Sequence, residues 1–153
     1  MIRILLLALA ALAVASAVSA QQTQQPYRGQ EKRAVKALSD AEIADLREGR
    51  GMGLAKAAEL NGYPCPAHPL EHAAALKLTG DQRRAIEAIR AEMSAVAQAL
   101  GREILARKRE LDAAFGEGRI DTAVLAAKTA EIAALNGRLR AVHLAAHVEA
   151  RRC

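Results

Sequence analysis

The residues with the clearest capacity for chemistry are the four histidines, which are all that the chain has. They fall into two pairs, His68/His72 and His143/His147, each with members four positions apart. On a helix that spacing places both imidazoles on one face, one turn apart, a sterically sound way to present two nitrogen ligands. Zinc, nickel, cobalt and copper all accept neutral imidazole, so a divalent transition metal is the implied cofactor. Three further donors stand as candidates. They are the Glu71 carboxylate, the Met93 thioether and the Cys65 thiolate. The alternatives are ordinary ones: Glu71 as a solvated carboxylate, Met93 as core packing on its apolar stripe, and the histidines as surface residues without a metal. No nucleophile elbow, catalytic Cys-His signature or paired carboxylate appears, so the expected role is binding and not enzymatic catalysis.

Two long segments must position these groups. Ile86, Ile89, Met93, Val96 and Leu100 recur at spacings of three and four, and Ile132, Leu135, Leu139, Val142 and Ala146 repeat the device. Each stripe needs cover from water, and the short turn Gly116-Glu117-Gly118 makes the other stripe its nearest cover. The expected fold is all-α: a long antiparallel helical hairpin with short N-terminal helices packed at its open end. With Gly118 as the turn centre, equal distances back set His143 opposite Met93 and His147 opposite Ile89. The helix bearing His68 and His72 enters just before Thr79, at the same end, so all four imidazoles are expected to meet there. In heptad terms His143 flanks the seam and His147 points further out, which is also where solvent-facing histidines sit.

Ahead of the hairpin, Ser39 and Glu42 form a capping box, with Leu38 and Ile43 at the staple positions and Gly49 as the stop. The alternation Gly49-Arg50-Gly51-Met52-Gly53 lacks the preceding strand and following Lys-Ser/Thr of a phosphate loop, so it reads as a flexible connector. Leu54 to Leu60 is a short helix ended by Asn61-Gly62, and Tyr63-Pro64-Cys65-Pro66 is an extended elbow before helical character resumes at His68. Thr79 and Gln82 form a second capping box, and Asp121 caps the last helix. Glu103/Arg107 and Lys108/Asp112 are spaced as ion pairs on an exposed face. Gly101 is expected to cost the helix about 1 kcal/mol relative to Ala.

The N-terminus has a charged Arg3, an apolar run from Ile4 to Ala15, and small residues ending Val18-Ser19-Ala20, the pattern of a cleaved secretory signal. Residues 1–20 are therefore expected to be removed on export to the periplasm, followed by a polar, flexible leader over 21–37 and the helical-hairpin domain over 38–153. Of the 22 basic residues only Arg3 leaves with the signal, so 21 face 17 acidic ones, a net charge of +4. That modest excess, the export signal and an aromatic content of 2% argue against nucleic acid as a partner. An oxidising compartment permits a disulfide at Cys65 and Cys153, and spacing leaves open whether it is within the chain, between chains or absent.

Leu78-Thr79-Gly80-Asp81-Gln82, opening a long hairpin in an exported, proline-poor chain, resembles the bacterial periplasmic LTxxQ superfamily, with its Spy/CpxP-like chaperones and heavy-metal-resistance sensors of the CnrX and ZraP kind. The likeness covers roughly residues 66 to 150, and the stretch from Ser39 to Pro66 is also similar to leaders found in that group. In the metal-sensing branch a His-x-x-x-His pair precedes the hairpin and a His-x-x-x-Met pair lies on the last helix. His68/His72 resemble the first, and His143/His147 the second with histidine in place of methionine. The resemblance implies a periplasmic heavy-metal sensor or resistance protein acting in envelope stress, a homodimer that reports to an inner-membrane regulatory protein. Its other branch implies an ATP-independent chaperone or stress adaptor that holds unfolded client proteins.

Overall fold

The second capping box forms as its sequence dictates. The Gln82 amide donates to Thr79 Oγ1 at 3.2 Å, and the Thr79 amide donates to Gln82 Oε1 at 3.0 Å. In the computed structural model, which describes residues 26–153, this box opens the longest helix. The expected signal over 1–20 and the first part of the leader lie outside the described residues. Five α-helices follow in order: α1 Asp40–Glu48, α2 Lys56–Glu59, α3 Ala67–Glu71, α4 Gly80–Gly116 and α5 Thr122–Ala150. A 3-10 turn at Gln30–Lys32 precedes them, and no strand occurs among the described residues. The division of the chain falls at Glu31, and Lys32–Cys153 forms the larger compact unit.

Within that unit α4 and α5 pack along each other. Gly118, at φ 65°, turns the chain after α4, and the Val124 amide donates to Asp121 Oδ1 at 2.8 Å to start α5. Arg107 on α4 reaches Glu131 on α5 at 2.7 Å, while Gln82 Nε2 donates to the Cys153 carbonyl at 2.8 Å. The start of α4 thus lies beside the end of α5. The expected Glu103/Arg107 and Lys108/Asp112 pairs are replaced. Arg107 binds Glu110 at 2.6 Å as well as Glu131, and Asp112 accepts the Lys36 amide at 2.8 Å. Glu131 and Lys36 are partners brought in by packing, while Glu110 is a different neighbour along the same helix.

The core is a seam of Leu100, Ile104 and Leu105 from α4 with Leu135 and Leu139 from α5, closed by Ile43 and Leu46 of α1 and by Val35 and Leu38 before it. Val35 is fully buried, so the ordered unit starts earlier than residue 38. One apolar side chain in a polar stretch has no periodicity by which to be read. α1 crosses α4 at Gly101, where a Cβ would stand 1.8 Å from the Leu46 carbonyl oxygen. The N-terminal segment is therefore spread along the helix pair and not gathered at one end: Lys36 meets Asp112, Leu46 meets Gly101, and Glu59 approaches His147.

Candidate metal centre

Gly49, at φ 65°, ends α1 in the left-handed conformation that glycine adopts without strain. The chain then runs through residues 50–53 and over α5. A Cβ at Gly51 would lie 3.9 Å from His143 Nδ1, so this loop passes directly above that ring. α2 packs against α5, and the elbow at 63–66 follows it. Together these segments roof a cavity of about 460 Å3 whose wall includes His143, His147, Cys65 and Met93.

Both histidines of α5 are buried, at 3% and 2% exposure. Their positions beside the helical seam would leave them solvated if α4 and α5 stood alone. The loop and α2 are what cover them. His147 Nδ1 lies 3.0 Å from the Tyr63 carbonyl oxygen. A carbonyl only accepts, so Nδ1 carries a proton, and Nε2 lies 3.8 Å from Glu59 Oε1. A backbone carbonyl on Nδ1 is also the arrangement that orients ligating imidazoles in metal sites. His143 Nε2 is buried and has no hydrogen-bond partner. Burial, and secondarily the neighbouring His147, lowers its pKa below the ordinary value, favouring the neutral ring that can ligate.

The other pair is placed differently. α3 ends at Glu71, and His72 leaves helical geometry at φ −106°, ψ 20°. His68, Glu71 and His72 are exposed and take no part in the wall around His143 and His147. His68 borders a neighbouring cavity of about 230 Å3, which shares Glu59 and Cys65 with the first. Of the candidate ligands, then, the fold brings together His143, His147, Cys65 and Met93, and leaves His68, His72 and Glu71 at the surface. Among the described residues no three His, Cys, Asp or Glu side chains are grouped tightly enough to hold an ion by themselves. Cys65 and Cys153 are both free thiols, half-buried and exposed respectively. Met52 also lines the cavity, a residue that sequence reasoning treated only as part of a connector.

Compared with models of protein families, with curated proteins and with solved structures, the chain matches none.

Proposed function

We propose that this protein is an exported, non-enzymatic transition-metal-binding protein of the bacterial envelope, a sensor or resistance factor that holds its ion at His143 and His147. The observation that carries the reading is the partnerless, buried Nε2 of His143 beside a second imidazole whose Nδ1 is oriented by the Tyr63 carbonyl. Leaving such a nitrogen unpaired costs about 1–3 kcal/mol, a cost that a bound ion removes. The resemblance of Leu78–Gln82 to the LTxxQ opening supports the same reading. On that reading α4 and α5 form an antiparallel hairpin, the protein is periplasmic, and a homodimer passes the metal signal to an inner-membrane regulatory protein. His68 and His72, outside the cavity, then serve at most as a second, surface pair.

Calorimetric titration with zinc, nickel, cobalt and copper on the purified protein, compared with a His143→Ala, His147→Ala double variant, tests the proposal. Saturable binding lost in the variant is expected, with a melting temperature that rises with metal concentration in the parent alone. Equal affinity in both proteins refutes it. A second reading, the ATP-independent chaperone, draws on a different observation: a shallow groove between α4 and α5 lined by Ile89, Val96 and Val142, with Val96 and Val148 exposed. Suppression of client aggregation that persists in the double variant and without metal would place that reading first.

A further inference from the structure

The chain has three methionines, and both of those beyond Met1 line the same cavity as His143 and His147, as does Cys65. Such a concentration of sulfur has no packing explanation at Met52. Its side chain is 41% exposed and its backbone sits at φ 46°, a left-handed conformation that residues other than glycine seldom adopt. Gly53 beside it, at φ 73°, continues the same tight path. A strained backbone that holds a large, uncovered thioether at the mouth of a cavity is the kind of outlier from which function is inferred. Met93 enters the wall from α4 and Cys65 from the elbow after α2, so the three sulfurs come from three separate segments.

We infer that the cavity is a soft-donor site for monovalent copper, with the Met52 and Met93 thioethers and the Cys65 thiolate joined by the imidazole of His143 or His147. The inference rests on the proposed metal-binding function and specifies its ion. Thiolate and thioether sulfur select Cu(I), whereas magnesium, calcium and manganese take oxygen. One carboxylate of the wall, Glu48, is already engaged by Arg50 at 2.5 Å. Cu(I) enters as Cu(I), so binding requires no electron transfer; only the Cys65 thiol gives up a proton.

The test is anaerobic competition for Cu(I) between the protein and bathocuproine disulfonate, run beside a zinc titration. Expected are one Cu(I) per chain, held more tightly than zinc, and weakening by about tenfold or more in each of Met52→Leu, Met93→Leu and Cys65→Ser. Zinc affinity in the two methionine variants should stay within about threefold of the parent. Leucine keeps the volume of methionine, so both variants retain the packing. X-ray absorption at the copper edge on the unaltered protein needs no variant and should report sulfur neighbours. Copper no tighter than zinc, unchanged copper affinity in all three variants, or a shell of nitrogen alone overturns the soft-donor assignment and leaves the histidine reading standing. Failure of the unaltered protein to bind any metal overturns both.

Discussion

Gly101→Ala is the substitution on which helix propensity and tertiary packing disagree in sign. In an isolated helix the change stabilises by about 1 kcal/mol. Here the new Cβ would lie 1.8 Å from the Leu46 carbonyl oxygen, and that oxygen belongs to backbone that no rotamer change can move. Restoring even a 3.0 Å contact requires α1 to rise from α4 by about 1.2 Å. Overpacking of this kind costs about 1–3 kcal/mol. Complete detachment would also expose Ile43 and Leu46, at about 2 kcal/mol each. Set against the gain in propensity, the outcome between these limits is a net loss of about 1–3 kcal/mol, which lowers the melting temperature by about 4 °C per kcal/mol. Gly137→Ala on α5 is the control, since nothing lies within 4 Å of its Cβ and it should stabilise by propensity alone. Thermal melts followed by far-ultraviolet circular dichroism read both. A Gly101→Ala protein that melts at or above the parent refutes the crossing of α1 over α4 at this point. Because the loop after α1 roofs the cavity, metal affinity should fall with stability in this variant and stay unchanged in the control.

Thr79→Ala removes the acceptor for the Gln82 amide and should cost about 1 kcal/mol without altering metal affinity, as paired melts and titrations will show. His143 has its folded-state pKa held below the ordinary value by burial, so the unfolded chain binds its proton more readily; stability is fully present above about pH 6.5 and declines as pH falls towards the folded value. Urea midpoints between pH 7.5 and 5 should record that decline, and His143→Gln should flatten it. Thiol labelling should modify exposed Cys153 faster than half-buried Cys65, with copper protecting Cys65 alone; equal rates in both conditions would remove Cys65 from the site. Mass spectrometry of exported protein should find Gln21 as the first residue, and a mass that retains residues 1–20 would contradict export by a cleaved signal.

What the sequence determined by itself was local. The Ser39/Glu42 and Thr79/Gln82 boxes, the Asp121 cap and the Gly49 stop each depend on hydrogen bonds across three or four residues, so residue type and spacing suffice to place them. The two apolar stripes are legible as a period of the helix, although Val96 of the first is exposed and Ala97 is buried in its place. Only the tertiary structure decided which of those residues are covered. Gly101 reads in sequence as a small cost and becomes the point where α1 touches α4. Arg107 reads as a partner of Glu103 and instead bridges Glu110 and Glu131. His143 and His147 read as flanking a seam, yet a loop and a short helix distant in sequence bury them and add Met52 and Cys65 to the wall that Met93 enters from α4. Burial is set by whatever segment returns to lie on top, and the return of residues 49–66 over α5 leaves no periodic mark in the sequence of either.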